Sequence, residues 1–287
     1  MELQDLKIAF FGTPQIAVWV LEELKLGTIL PTLIVTNPDR PQGRGLTLTA
    51  SEVKQWAEKH TIEVFQPEDL HHTENLTTLT SQEWDLFIVV AYGQIMPKWL
   101  IDMPKYGTLN VHPSMLPHLR GASPIRTSIL EGYKDTGVSI MLMDEKVDHG
   151  PLFAQKAFTI TEPTKGSVLD EILAKESGRI LCGVIPKWIA GGITPQEQNH
   201  KEATFCKKIT KDMGELTIDP FNLPQGEAAQ QILLKIHAFD GWPGTFFFYE
   251  GKRIKITEAS IVDNQLLIGK IISEGKREMD FEIYFRK

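Results

Sequence analysis

The sequence predicts an α/β protein with a Rossmann-like, doubly wound sheet followed by a small, β-rich, OB-like C-terminal domain. Over the first two-thirds of the chain, short apolar runs alternate with amphipathic stretches. This pattern is typical of βαβ units around a parallel sheet. A stretch rich in Gly, Pro and polar side chains follows at residues 191–204. Beyond it, runs of β-branched and aromatic residues separated by turn signals indicate a β-rich fold.

The elements of the first part follow from their hydrophobic periodicity. Strands are predicted at residues 6–11, 29–36, 62–65, 85–91, 108–112 and 138–143, and helices from Gly12-Thr13-Pro14 to about Lys25, over 52–60 and over 168–189. The run at 85–91 is strongly apolar and β-branched, as strands buried on both faces are. Ligands of such sheets bind at the carboxyl ends of the strands. We expect residues 108–112 and the loop 144–150 to end there.

The second part begins after Gly191-Gly192 and Pro195, which end the long helix. The polar stretch at residues 196–204 is the predicted linker. A helix is predicted at 226–238, and strands at 245–249, 252–257, 265–272 and 280–285. Glu250-Gly251 lies between the first two strands as a hairpin signal. The predicted domains are therefore an N-terminal α/β domain at 1–195 and a C-terminal β-rich domain at 205–287.

Composition narrows the class of protein. The 287 residues are 42% hydrophobic and 23% charged, with two cysteines, Cys182 and Cys206. The N-terminal segment does not look like a signal peptide, and no middle apolar run has the length of a bilayer span. These features predict a cytoplasmic protein without a membrane partner or disulfide framework. Residues 201–287 hold 13 basic and 13 acidic side chains, and the net charge is −7, which disfavours a basic nucleic-acid module.

The most informative stretch is Gly107–Ile125, GTLNVHPSMLPHLRGASPI. Asn110 and His112 lie two apart at the end of a predicted strand, so they project to one face. Asp148 follows in a second loop, MLMDEKVDHGPL. An amide donor, an imidazole and a carboxylate suit attack on a carbonyl group. A lone histidine at a strand end is more often structural, but the three residue types together favour a catalytic interpretation.

Other chemistries have weaker signals. The sequence contains no G-x-S-x-G and no H-x-x-x-H motif, so covalent or metal catalysis is less favoured than direct transfer between bound substrates, and no metal is predicted. The Gly12-Thr13-Pro14 turn lacks the G-x-G-x-x-G spacing of dinucleotide sites. Arg40 and Arg44 lie in the loop NPDRPQGRGLTL. This loop is either a solvated connection or a contact for RNA phosphates.

Together these segments resemble the methionyl-tRNA formyltransferases, which belong to the 10-formyltetrahydrofolate-dependent formyltransferases. The segments similar to that family are FFGTP, NPDRPQGRG, VVAYGQIMP, NVHPSMLPHLRGASPI, DEKVDHGPL and AFDGWPGTFFFYEGKRIKI, and they extend over nearly the whole chain. The Asn-x-His pair and the downstream Asp are shared by all formyltransferases of this kind. The arginine loop and the DGWPGT segment point to the tRNA-directed members.

The resemblance implies a role for each matching residue. Asn110, His112 and Asp148 match the catalytic residues. Folate-binding positions would be Gln94, Ile95, Met96, Ser114, Met115, Leu116, Pro117, Asp144 and Val147, and Arg40 and Arg44 would bind tRNA. The donor would be 10-formyltetrahydrofolate, and the acceptor the α-amino group of methionyl initiator tRNA, in support of translation initiation. A monomer without a metal is expected.

Four other functions stay open at this point. An enzyme formylating an amino-sugar nucleotide would share the three catalytic residues and would need a nucleotide pocket. A hydrolase releasing formate from the folate is a further relative. A nicotinamide-dependent oxidoreductase is disfavoured by the missing glycine motif. A non-catalytic RNA-binding module would need a basic face and would tolerate the loss of His112.

Overall fold

A computed structural model describes residues 3–42, 47–161 and 164–286. Its strands are β1 (Ile8–Gly12), β2 (Leu33–Val35), β3 (Arg40–Gln42), β4 (Thr47–Thr49), β5 (Glu63–Phe65), β6 (Leu86–Val90), β7 (Thr108–His112), β8 (Arg120–Gly121), β9 (Asp135–Leu142), β10 (Leu152–Thr159), β11 (Phe205–Cys206), β12 (Thr245–Tyr249), β13 (Lys252–Val262), β14 (Gln265–Ser273) and β15 (Met279–Asp280). Its α-helices are α1 (Gln15–Leu26), α2 (Glu52–Lys59), α3 (Thr77–Thr80), α4 (Lys98–Ile101), α5 (Pro124–Leu130), α6 (Gly166–Ile189), α7 (Gly226–Ala238) and α8 (Phe281–Phe285). Short 3₁₀ helices cover Leu3–Asp5, Thr73–Asn75, His200–Glu202 and Asp212–Gly214. Over the described ranges, no helix is long and apolar enough to cross a membrane.

The chain forms two compact units. The first comprises Met1–Arg120, Gly137–Phe158 and Glu171–Thr204, and the second comprises Gly121–Thr136, Thr159–Asp170 and Phe205–Lys287. The second unit therefore takes two segments from the first two-thirds of the chain. The predicted domain limits of 1–195 and 205–287 stay a prediction.

A seven-stranded sheet organises the first unit, in the order β10-β9-β7-β6-β1-β2-β5. Its central strand β1 pairs in parallel with β2 and β6, and the parallel pairing continues to β5 and β7. All five residues of β1 and of β6 are buried, as expected for parallel strands covered on both faces. This confirms the parallel-dominated α/β class.

Strand β9 departs from the expected parallel order. β9 runs antiparallel to β7, with His112 opposite Ser139 and Leu109 opposite Leu142. The loop after β9 therefore leaves beside the start of β7 and not at its carboxyl end. The next strand, β10, is absent from the prediction because most of its side chains are at least partly exposed. Such a strand gives little apolar signal.

Local signals explain the helices that cover this sheet. In α1, Ala17, Val20, Leu21 and Leu24 are all buried, at the spacing of one helix face. The N-cap of α2 is Ser51, whose Oγ accepts a hydrogen bond from the Lys54 amide at 3.1 Å. Such a cap contributes about 1 kcal/mol to helix stability.

The second unit is β-rich, as predicted. Strands β12, β13, β14 and β15 form an antiparallel sheet, and Glu250 and Gly251 both have positive φ angles in the hairpin between the first two. Positive φ at both central residues is the signature of a type I′ turn. The apolar core of this unit comprises Leu216, Ala229, Ile236, Phe247, Ile254, Ile256, Leu266, Ile268, Ile271 and Phe281.

The strand predicted at 280–285 is wrong. Only Met279–Asp280 is extended, and Phe281–Phe285 forms α8. The rings of Phe281 and Phe285 lie 4.7 Å apart, because residues four apart share one face of a helix. The sequence FEIYF fits either period, and packing of both rings against the core of this unit selects the helix.

Candidate active site

Strand β7 brings Asn110 and His112 to one face, and Asp148 meets both of them. The Asp148 Oδ1 atom lies 3.3 Å from Asn110 Nδ2 and 3.5 Å from His112 Nδ1. His112 is 4% exposed, and the Asp148 side chain is also mostly buried. Asn110 is half-buried. We call these three residues the trio.

The ring of His112 has one nitrogen committed to the backbone. Its Nε2 lies 2.8 Å from the carbonyl oxygen of Leu119. A carbonyl only accepts hydrogen bonds, so Nε2 must carry the proton. The other ring nitrogen, Nδ1, faces the carboxylate of Asp148.

A tight loop carries Asp148 back to β7. Asp144 begins it, accepting a hydrogen bond from the Lys146 amide through Oδ1, and its Oδ2 lies 2.6 Å from His149 Nδ1. Asp148 itself has φ of +49°, a conformation that aspartate and asparagine tolerate better than most residues. A Cβ on Gly150 would lie 1.9 Å from the carbonyl oxygen of Leu142. Only glycine therefore lets the loop close this tightly.

The predicted linker at 196–204, which we call the strap, lies against the trio. Gln198 is 6% exposed, and its Nε2 donates to the carbonyl oxygens of Asp148 at 3.0 Å and Gly150 at 2.7 Å. Thr204 Oγ1 accepts from the Leu119 amide at 2.8 Å. Sequence reasoning missed these residues, since a polar stretch between elements carries no periodic signal.

Arg120 joins the strap to the signature segment. The buried Arg120 guanidinium donates from Nη2 to Gln198 Oε1 at 2.6 Å, and lies 2.8 Å from His200 Nδ1. The rings of His200 and His149 stack, with their centroids 4.0 Å apart and an angle of 2° between them. Partial burial, together with the charges of His149 and Arg120, lowers the pKa of His200 below 6.5.

The predicted folate-binding residues after β6 lie in different environments. Gln94 Nε2 donates to Asn37 Oδ1 at 2.7 Å, and Asn37 in turn donates to the carbonyl oxygen of Tyr92 at 2.7 Å. Met96 is packed into the apolar core, whereas Ile95 is 78% exposed. The Gln94 side chain thus braces this turn.

The Ser114–Pro117 turn is held from β9 and β10. Ser139 Oγ accepts from the Leu116 amide and donates to the carbonyl oxygen of Ser114. Gln155 Nε2 donates to the carbonyl oxygen of Leu116 at 2.8 Å. The turn also contains the half-buried Met115 and ends in a cis Leu116–Pro117 bond. Its backbone is therefore fixed on several sides.

Three predicted site residues remain, namely Val147, Arg40 and Arg44. Val147 is exposed in the Asp148 loop. Arg40 is exposed in β3, where it pairs with Thr49 of β4. Arg44 lies outside the described residues. The structure thus unites the trio, but it shows no contact of Arg40 with it among the described residues.

Comparison with known proteins now decides the family. Residues 6–185 match the model of the formyl transferase family, and residues 226–285 match the model of the formyl transferase C-terminal domain. The chain belongs to the formyl transferase family. The trio lies inside the first matched region of this formyl transferase.

Curated relatives extend over most of this formyl transferase. The methionyl-tRNA formyltransferase of Sulfurihydrogenibium sp. is 37% identical over 276 residues, which is 95% of this chain and 86% of that protein. The methionyl-tRNA formyltransferase of Bacillus subtilis is 37% identical over 250 residues, which is 87% of this chain and 77% of that protein.

Solved structures share the fold at lower identity. A methionyl-tRNA formyltransferase from Clostridium thermocellum is 18% identical, with a TM-score of 0.58, covering 96% of this chain and 99% of that one. A sugar N-formyltransferase from Shewanella sp. is 14% identical, with a TM-score of 0.66, covering 90% of this chain and 98% of that one. At such identities the likeness shows the fold alone.

Proposed function

We propose that this formyl transferase moves the formyl group of 10-formyltetrahydrofolate to the α-amino group of methionyl initiator tRNA. The observation that carries the transfer chemistry is the meeting of Asn110, His112 and Asp148 around one carboxylate oxygen. The 37% identity to two methionyl-tRNA formyltransferases favours the tRNA acceptor.

The tetrahedral intermediate of this reaction carries a negative charge on oxygen that the trio can stabilise. The amine nitrogen attacks the formyl carbon, a C–N bond forms, and the carbonyl electrons move to oxygen. The half-buried Asn110 carries two amide hydrogens, and it donates to this oxyanion. When the tetrahedral intermediate collapses, the bond to N10 of the folate breaks, and the electrons return to the carbonyl.

One proton must also move. The amine loses a proton and N10 of tetrahydrofolate gains one, so the overall reaction conserves protons. His112 Nδ1 is suited to this exchange because Nε2 is committed to the carbonyl oxygen of Leu119. Asp148 lies 3.5 Å from Nδ1, and its negative charge stabilises the imidazolium whenever that nitrogen holds the proton.

The substrate contacts follow the family resemblance. The folate would lie against the main chain of Gln94, Ile95 and Met96 and of the loop containing Asp144 and Val147. The Ser114–Pro117 turn, with Met115 and Leu116, would complete that site. Arg40 and Arg44 would contact tRNA phosphates. A monomer in the cytoplasm remains our expectation.

A formyl-transfer assay tests the acceptor. The protein receives 10-formyltetrahydrofolate with methionyl initiator tRNA in one arm and an amino-sugar nucleotide in the other. We expect product only in the tRNA arm, and much slower product formation from the His112→Gln variant. Product only on the sugar would mean that the acceptor is an amino-sugar nucleotide. The Shewanella protein that shares the fold is a sugar N-formyltransferase. Product in neither arm would refute formyl transfer to both.

A further inference from the structure

The strap at 196–204 contacts both ionisable members of the trio through the segments that carry them. We propose that it is a positioning device in which Gln198 sets the place of Asp148 beside His112. This inference deepens the proposed function and rests on it.

The first step concerns the loop that carries Asp148. Gln198 donates to the carbonyl oxygens on both sides of His149, those of Asp148 and Gly150. Asp148 has a positive φ, and a residue held in that region relaxes when its surroundings stop constraining it. The two bonds from Gln198 therefore fix the backbone from which the Asp148 carboxylate projects.

The second step concerns His112. The carbonyl oxygen of Leu119 accepts a hydrogen bond from His112 Nε2. The strap holds that residue and the next one. Thr204 Oγ1 accepts from the Leu119 amide at 2.8 Å, and the Thr204 carbonyl oxygen accepts from the Arg120 amide at 2.9 Å. One nine-residue segment thus fixes both the imidazole and the carboxylate that faces it.

Arg120 decides which way the Gln198 amide points. A guanidinium has only donors, so Arg120 Nη2 must face the oxygen of the amide, 2.6 Å away. The amide nitrogen is then left for the two carbonyl oxygens, which only accept. Donors and acceptors match at every contact of Gln198, and reversing the amide would break all three.

The trio is sensitive to such positioning. Its two contacts to Asp148 Oδ1 measure 3.3 and 3.5 Å, so a further displacement would remove them. Misplacement of a catalytic group by about 1 Å can cost on the order of 100-fold in rate. Gln198 therefore has the means to control turnover without touching either substrate.

Gln198→Glu tests this directly. Glutamate keeps the shape and the bond to Arg120, but it replaces the donor facing two carbonyl oxygens with an acceptor. We expect kcat to fall about 10- to 100-fold, with the KM of the formyl donor unchanged within about twofold. Gln196→Glu is the matched control, because Gln196 is exposed on the same strap and should keep its turnover.

A double-mutant cycle separates positioning from a general structural effect. If Gln198 acts through Asp148, then Gln198→Glu should lower kcat by less than about twofold in an Asp148→Asn background. Two results would overturn the proposal. One is wild-type turnover in Gln198→Glu, and the other is a decrease in kcat by Gln198→Glu that is as large in the Asp148→Asn background as in the wild type. Should Gln198→Glu fail to fold, Gln198→Met carries the same expectation without a new charge.

A second readout does not depend on the proposed reaction. In ¹⁵N-histidine-labelled protein, the ring nitrogen signals of His112 should shift in Gln198→Glu and stay in place in Gln196→Glu. Unchanged His112 signals in both variants would overturn the positioning role. A wild-type protein inactive toward both acceptors would refute the proposed function alone, and the His112 signals would still decide the role of Gln198.

Discussion

At the scale of single residues, the direction of each hydrogen bond assigns the chemistry. In the proposed reaction His112 could exchange a proton through either nitrogen, but Leu119 accepts from Nε2 and leaves Nδ1 for that exchange. In the proposed reaction, Asp148 then acts on this nitrogen from 3.5 Å away. Two substitutions test these roles without emptying the site.

His112→Gln keeps a donor near the position of Nε2, because the glutamine Nε2 can still bond the carbonyl oxygen of Leu119. It removes the group that exchanges a proton. We expect kcat to fall by roughly 100- to 10,000-fold, while the free energy of unfolding changes by less than about 1 kcal/mol. Steady-state kinetics and urea unfolding measure the two quantities. The exposed His71→Gln is the control, and retained turnover in His112→Gln would contradict the assignment.

Asp148→Asn removes the charge while keeping the turn, because asparagine also tolerates positive φ. We expect lower turnover, by about 10- to 100-fold, and a pH–rate profile whose shape differs from that of the wild type. Kinetics over about pH 5 to 9 reports both changes, since the charge of a histidine varies in that interval. An unchanged profile would mean that Asp148 does not act on His112.

At the scale of elements, the stacked rings of His149 and His200 link the strap to pH. Folding lowers the pKa of His200 below 6.5, with partial burial as the largest cause. The unfolded chain therefore takes up a proton that the folded one resists, and stability is lost as the pH falls through about 6.5. His200→Asn should lose less unfolding free energy between about pH 7.5 and 5.5. Urea unfolding at both pH values tests this, with His71→Asn as the control. An equal loss of unfolding free energy in the wild type and in His200→Asn would contradict the prediction.

The helix α8 offers a test of its own period. In a strand, residues 281 and 283 would share a face, whereas in the helix Phe281 is 7% exposed and Ile283 is 58% exposed. Phe281→Ala should lower the unfolding free energy by about 3 kcal/mol. Ile283→Ala should change it by less than about 0.5 kcal/mol. Equal losses from both substitutions would favour the strand.

These elements also show what the sequence can predict. The apolar runs of β1 and β6 and the bounds of α7 follow from local periodicity, and Asn110 and His112 follow from the two-residue spacing of a strand. Gln198 has no such signal, because its partners Asp148 and Gly150 lie 50 and 48 residues away. The antiparallel β9 and the helix α8 depend likewise on packing that no local pattern contains.

At the scale of the whole molecule, the charge of the protein bears on the proposed binding of tRNA. The net charge is −7, and residues 201–287 are neutral. Long-range attraction would therefore contribute little to the proposed tRNA binding, and the affinity would depend on local cations such as those of the arginine loop. Each phosphate contact adds about one unit to the slope of log affinity against log salt concentration.

Arg44→Ala tests that dependence in the proposed tRNA reaction. Removing one phosphate contact should raise the KM for methionyl initiator tRNA and reduce the salt slope by about 1, while the KM for 10-formyltetrahydrofolate stays unchanged. Lys59→Ala, at the exposed end of α2, is a control of equal charge change. An equal rise in both KM values would mean that the loop acts on the site as a whole. An unchanged salt slope would mean that Arg44 does not meet a phosphate, and RNA affinity would then have to come from other cations of the chain.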